Sequence, residues 1–198
     1  MQIYLDSANI QHIHEAAAWG ILSGVTTNPS LLAKEDPKVD IKERILEIHK
    51  LVGGHLSVEV ISTDTEGMIR ETEEIRGWFP EATIKIPMMP SGLAAVKELS
   101  KRNIPTNVTL IFNPIQAIAA NNAGATYVSV FLGRLDDIGM NSEHILDEIK
   151  VSGTHMVLNP KSLQHQFEIH YILFIQLSLE HILQPSRTMF CVNHCNIH

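Results

Sequence analysis

The chain has 198 residues, 44% of them apolar and 19% charged, which suits a soluble globular protein with one sizeable core and excludes a disordered one. Its net charge is −7, with Lys and Arg scattered rather than gathered in a block, which argues against a nucleic-acid-binding surface. The longest apolar run, "YILFIQLSL" (171–179), is too short for a membrane span and carries Gln176, and the opening "MQIYLD" shows no secretory pattern, so a cytoplasmic address is expected.

In chain order, "QIYLD" (2–6) reads as a short strand ending in an acid. "SANIQHIHEAAAWG" (7–20) follows as a helix, with Ile10, Ile13 and Ala17 at helical spacing and Gly20 as its stop. "GVTTN" (24–28) reads as a strand, and 40–54 as an amphipathic helix through Ile41, Ile45, Ile48 and Val52. The pattern then repeats: strand 56–60 and helix 64–79, strand 82–87 and a helix opening on Ser91, strand 105–112 and helix 113–124. Pro114 in the first turn of that last helix and Gly124 at its end fit the usual asymmetry of helix termini. Strand 126–131, a loop and helix 142–150 complete six β–α units.

Strict alternation with near-continuous apolar strands implies a parallel sheet covered by helices, either doubly wound or a closed barrel. No glycine-rich phosphate loop follows the first strand, which weakens the dinucleotide-binding version. Asp6, Thr27, Asn28, Glu59, Lys85, Asn107, Thr109 and Arg134 all lie within or just past a strand. A barrel gathers such residues at its C-terminal mouth, where catalysis sits. The expected fold is therefore a (β/α)8 barrel of the TIM type, incomplete, with six recognisable units.

Lys85 stands between Ile84 and Ile86 in "ATIKIP", where an unpaired cation costs several kcal/mol or gives up its proton. Alternation points it away from both isoleucines and into the barrel. Desolvation there would depress its pKa and free a neutral amine, the nucleophile of Schiff-base chemistry. The alternative is a structural lysine paired with Glu59 or Asp6, and strand context does not choose between the two. Asp6 and Glu59 suit the proton transfers such chemistry needs, yet singly each also reads as a strand-end acid or helix cap. Thr26, Thr27 and Ser30 read as turn or cap residues. Arg134 in "GRLDDIG" fits a phosphate, or an ion pair with Asp136 or Asp137.

Taken together, "YLDSAN", "GVTTNPS", "VEV", "KIPM", "TNVTLIF" and "GATYVSVFLGRLDDIG" resemble, in order and spacing, the small transaldolases, which include fructose-6-phosphate aldolases. The likeness covers about residues 1–150. It implies a (β/α)8 barrel with Lys85 as the Schiff-base lysine and Asp6 as the base that deprotonates the C4 hydroxyl. It also implies that Glu59 and Thr109 hold a proton-shuttling water, and that Asn28 and Asn107 hold the dihydroxyacetone hydroxyls. Ser129 and Arg134 match part of the phosphate site. Ser7 stands where Thr is usual, and Val130 where Pro is usual. Transaldolases carry Glu and Phe where the aldolases carry Gln and Tyr, so Glu59 and Phe131 favour transaldolase. A Phe there removes a proton donor from beside the three-carbon enamine.

The implied reaction transfers a dihydroxyacetone unit from fructose 6-phosphate to erythrose 4-phosphate, a step of the pentose phosphate pathway. The imine is the electron sink, so the resemblance implies no metal and no organic cofactor. Its partners would be sugar phosphates and, as in the family, further copies of the chain.

Composition breaks near residue 151. From there to His198 there is no Ala or Asp, yet the stretch holds six of the eleven His and both Cys. It reads as an aberrant tail on the 1–150 barrel portion, not as a second domain. The family continues with a strand resembling "LAASIRNPLH" and later "AHIATKP". Here stand "SLQHQFEIHYI" (162–172) and "EHILQPS" (180–186), and both can be back-translated so that a two-base shift restores the family wording. A frameshift between about Val151 and Thr154, in the gene or its reading, accounts for this. Without strands seven and eight the barrel would stay open, with the edges of strands one and six exposed. Cys191, His194, Cys195 and His198 fall at i, i+3, i+4 and i+7, but not at a common zinc-finger spacing, and the frame argument makes the motif accidental. Resequencing the codons for 151–154 should reveal the shift; a single intact frame through the tail overturns it.

Overall fold

The computed structural model describes residues 3–35, 39–139, 144–145, 147–149 and 170–173. Its strands are β1 (Ile3–Asp6), β2 (Leu22–Thr26), β3 (His55–Glu59), β4 (Thr83–Pro87), β5 (Thr106–Ile111), β6 (Tyr127–Val130) and β7 (His170–Leu173). Its helices are α1 (Ile10–Ala18), α2 (Pro29–Leu32), α3 (Ile41–Val52), α4 (Thr65–Trp78), α5 (Pro90–Lys101), α6 (Pro114–Ala123) and α7 (Leu132–Asp137). The strands pair in sequence order, and every pair is parallel. Helices alternate with the strands, so the fold is the incomplete (β/α)8 barrel that the alternation predicts.

Local chemistry explains where the elements begin and end. Asp40 caps α3 by accepting from the Lys42 and Glu43 amides, and Asp64 caps α4 through the Gly67 amide. Gly53 and Gly124 close α3 and α6 in the left-handed region, at φ 62° and 98°. Ile45 and Ile48 of α3 are buried as their spacing predicts, whereas Ile41 stands 53% exposed at the first turn. In α1 the buried pair is Ile13 and Ala16, not Ala17.

Several elements differ from the sequence reading. Residues 29–32, opened by Asn28 and Pro29, form the short helix α2. The loop expected after the sixth strand contains α7. α5 begins at Pro90, one residue before Ser91, whose hydroxyl donates to the Thr63 carbonyl instead. Of the expected helix 142–150, residues 144–145 and 147–149 are helical.

The largest correction concerns the edge of β6. It is not exposed: β7, from within the tail, pairs with it from Tyr127↔His170 to Val130↔Leu173. Four residues with alternating backbone groups suffice to satisfy a strand edge whatever frame encoded them. At the other end of the sheet β1 pairs only with β2 among the described residues. The cysteine–histidine motif (191–198) and the segment 180–186 lie outside the described residues, as does 162–169.

Tight helix–sheet contact holds the catalytic-strand candidate in place. A Cβ added at Gly92 of α5 would lie 2.2 Å from the Pro87 carbonyl oxygen and 3.1 Å from Ile86 Cγ2, so only glycine lets α5 approach the end of β4 this closely. Gly77, exposed near the end of α4, has nothing within 4 Å of the same construction. Gly92→Ala should lower stability by about 1–3 kcal/mol through overpacking against backbone. Gly77→Ala should raise it by roughly 0.5–1 kcal/mol. Urea unfolding of the two variants measures both.

Candidate active site

Strand alternation places Ser57 and Glu59, Thr83 and Lys85, Asn107 and Thr109, and Tyr127 and Ser129 on one face of the sheet. The opposite face carries Leu56, Val58, Ile84, Ile86, Val108, Val128 and Val130, all buried. Register then sets the polar residues in rows: Asp6, Thr26, Ser57 and Thr83 are successive Cα partners, as are Glu59, Lys85, Asn107 and Tyr127. In a parallel sheet partnered side chains project the same way, so residues far apart in the chain, from Asp6 to Ser129, converge on one surface.

Lys85 lies at the centre of that surface with 1% of its area exposed, and its Nζ is 3.2 Å from Glu59 Oε2. Glu59 is itself largely covered. Asp6 accepts the Thr26 hydroxyl at 2.8 Å and also feels the Lys85 charge. Burial raises the pKa of both carboxyls, and Lys85 only partly offsets this, with Asp6 raising Glu59 a little further. The site therefore holds two acids poised to keep or accept a proton beside an amine.

Asn107 is fully buried with both ends of its amide engaged. Its Nδ2 donates to Ser57 Oγ at 3.2 Å, and its Oδ1 accepts the Ser129 hydroxyl at 2.7 Å. Thr109 is 1% exposed, and its Oγ1 has no hydrogen-bond partner among the described residues. A β-bulge follows at Thr109 and Leu110. Val108 pairs with Val128 and Ile111 with Val130, so Thr109 and Leu110 together oppose Ser129. Leu110 takes φ 62°, rare for a branched side chain. The extra residue returns Ile111 to the buried apolar face, and brings the Phe112 ring 5.7 Å from Phe131.

The structure thus brings together Asp6, Glu59, Lys85, Asn107, Thr109 and Ser129. Asn28 stands just past β2, half-buried, and its side chain caps α2 by accepting from the Leu31 amide at 2.9 Å. Arg134 is exposed on α7, while the side chains of Asp136 and Asp137 lie outside the described set. Asp6 is no helix cap: Asn9 caps α1. The Thr27 hydroxyl donates to the Ser57 carbonyl, tying β2 to β3. Sequence reading passed over Ser57 and His55 as participants, and read Thr26 as a turn or cap residue unless a site recruits it; here it donates to Asp6. The alternation in "HLSVE", which puts His55, Ser57 and Glu59 on one face, was the available signal. Among the described residues no group of three His, Cys, Asp or Glu side chains could hold a metal ion, and no helix is long and apolar enough to cross a membrane.

A family model for transaldolase/fructose-6-phosphate aldolase matches residues 3–171. The chain belongs to that family. A probable transaldolase of Petrotoga mobilis is 52% identical over 151 residues, which are 76% of this chain and 67% of the relative. One from Carboxydothermus hydrogenoformans is 54% identical over 150 residues, 76% of this chain and 69% of the relative. One from Geobacillus thermodenitrificans is 48% identical over 173 residues, 85% of this chain and 80% of the relative. Transaldolase or aldolase chemistry is therefore the kind of activity to which this chain's family is devoted.

The raised acid at Asp6 makes stability depend on pH. The folded chain holds that proton more tightly than the unfolded chain does, so ionising Asp6 destabilises the fold. The penalty is complete above the raised pKa and absent below the ordinary carboxylate range. Asp6→Asn keeps an acceptor for Thr26 and removes the charge. It should be more stable than the unaltered chain at neutral pH, with the advantage shrinking on acidification and gone near pH 3. Urea midpoints at several pH values check this; an advantage that grows toward acid would contradict it.

Proposed function

We propose that the chain is a Schiff-base transaldolase that moves a dihydroxyacetone unit between sugar phosphates. The observation that carries this reading is Lys85: a wholly buried amine, 3.2 Å from Glu59 and within the field of Asp6. Membership of the family and the pairing of Glu59 with Phe131 support the transferase over the aldolase alternative.

Glu59 takes a proton from the Lys85 ammonium, and the neutral Nζ attacks C2 of fructose 6-phosphate. A second proton passes from nitrogen to the carbonyl oxygen to give a carbinolamine. Water held by Glu59 and Thr109 relays the proton that lets hydroxide leave as water, and an iminium forms. The unpartnered Thr109 hydroxyl suits this task, because a buried polar group without a partner costs free energy that a bound water recovers. Asp6 takes the C4 hydroxyl proton, C3–C4 breaks, and the bonding pair moves into the iminium as glyceraldehyde 3-phosphate departs. The resulting enamine adds through C3 to the aldehyde of erythrose 4-phosphate, and Asp6 returns the proton. Hydrolysis releases sedoheptulose 7-phosphate and restores Lys85. Asn28 and Asn107 hold the dihydroxyacetone hydroxyls; Ser129 and Arg134 belong to the phosphate end. The reaction needs neither metal nor organic cofactor, and we place it in the pentose phosphate pathway of the cytoplasm, in a homo-oligomer of the family type.

A second reading follows from the composition of residues 151–198. If the tail is out of frame, the Ser and Arg that complete the family's phosphate site are missing, and the chain is an inactive remnant or a subunit of an intact relative's oligomer. Donor binding would then weaken by a few kcal/mol for the lost charge-assisted bonds.

One experiment separates the readings. The purified chain is incubated with fructose 6-phosphate, reduced with borohydride and digested for peptide mass spectrometry. A dihydroxyacetone-sized adduct is expected on Lys85 and nowhere else, and Lys85→Met should abolish it. A soluble, folded chain that gives no adduct makes the remnant reading the correct one.

A further inference from the structure

On the same face as Asn107 stand two side chains, His55 and Ser57, to which the proposed reaction gives no role. His55 Nε2 lies 2.8 Å from Ser57 Oγ, and Ser57, Asn107 and Ser129 are each 0% exposed. The His55 ring is gripped edge-on by two tyrosines, with centroids 5.3 Å from Tyr4 and 4.6 Å from Tyr127. A Cβ at Gly24 would come within 2.7 Å of the Tyr4 ring, so that glycine makes space for the cluster. Burial pushes the Tyr4 hydroxyl up to about 12, with Tyr127 also raising it, so both rings stay neutral.

We infer that His55 and Ser57 are positioning residues that lock the Asn107 amide in one orientation, through a one-way hydrogen-bond chain from Ser129 to Asn107 to Ser57 to His55. Two hydroxyls alone could not do this. A hydroxyl both donates and accepts, so an amide between Ser57 and Ser129 is satisfied equally well either way round. Ser57 has a single proton, however. Where neutral His55 presents an unprotonated Nε2, that proton goes to the ring, and Ser57 can only accept from the amide. Asn107 must then turn Nδ2 toward Ser57 and Oδ1 toward Ser129, which is the arrangement observed. His55 thus breaks a tie that the site itself leaves open.

The consequence concerns donor recognition, and it rests on the proposed role of Asn107 in holding the ketose hydroxyls. A turned amide would exchange the donor and acceptor that the site presents, so a hydroxyl bound in one orientation would be left unpaired in the other. Ser129, Asn107 and Ser57 are fully buried and His55 is half-buried, which shields most of this hydrogen-bond chain from competing water and lets it hold its direction.

Two measurements test the inference. In the unaltered chain labelled with 15N-histidine, nitrogen–proton correlation spectra at neutral pH should show the His55 proton on Nδ1 and none on Nε2, with the signal assigned by its loss in His55→Phe. A proton on Nε2 overturns the inference. Kinetically, Ser57→Ala and His55→Phe should each raise KM for fructose 6-phosphate about tenfold while changing kcat much less, the size of one misplaced hydrogen bond. Both should still give the borohydride adduct at saturating donor. In an Asn107→Ala background neither change should raise KM further; equal increments in both backgrounds mean that Ser57 and His55 do not act through Asn107. Should the unaltered chain form no Lys85 adduct, the proposed reaction fails, and the His55 tautomer still decides the inference.

Discussion

An ammonium group with 1% of its surface exposed, in a strand flanked by Ile84 and Ile86, obliges its neighbours to supply a counter-charge from within. Glu59 supplies it from the adjacent strand at 3.2 Å, and the Lys85 charge reaches Asp6 as well. Those acids are themselves partly withdrawn from water, so burial raises both of their pKa values despite the lysine. Both acids therefore feel burial and the lysine in opposite directions. Removing Glu59 would leave the buried Lys85 charge without its ion-pair partner, which costs more than the pair contributes.

Such a cluster strains the fold that holds it, and the surrounding layers compensate. The helix side of β3 to β6 is apolar and buried. α5 sits against the Lys85 strand as closely as glycine permits. Beside the charged groups, Ser57, Asn107, Ser129 and His55 satisfy one another by hydrogen bonds and bring no further charge requirement there. The polar face therefore combines a charged cluster with a neutral, hydrogen-bonded chain. A neutral chain of this kind orients groups without competing for the lysine's partners.

Much of this was legible in the residues. Apolar runs with short connections announced six parallel strands, and the lone lysine in "TIKIP" stood out because nothing in a buried strand explains an ammonium group except a partner or a reaction. Other parts were hidden for physical reasons. The bulge at Leu110 leaves no mark in "NVTLI", since any of those residues fits a regular strand and the extra residue is visible only against the register of β6. Asn28 reads equally as a ligand-binding residue and as the cap it forms on α2, because both uses need the same amide. The strand β7 pairs through backbone groups that every sequence shares, so its residue types did not announce it.

The sequence by itself determined the barrel class and the family, and it singled out Lys85 with Asp6 and Glu59 as the candidate site. The first follows from periodicity and the others from motifs, which are local properties of the chain. Only the tertiary structure decided which polar residues meet. Parallel pairing puts Glu59, Lys85 and Asn107 in one row across three strands, at separations that no local pattern encodes. It decided equally that Ser57 and His55 stand behind Asn107, because a hydrogen bond of 2.7–3.2 Å is a property of distance in space, and the chain order of the residues does not contain it.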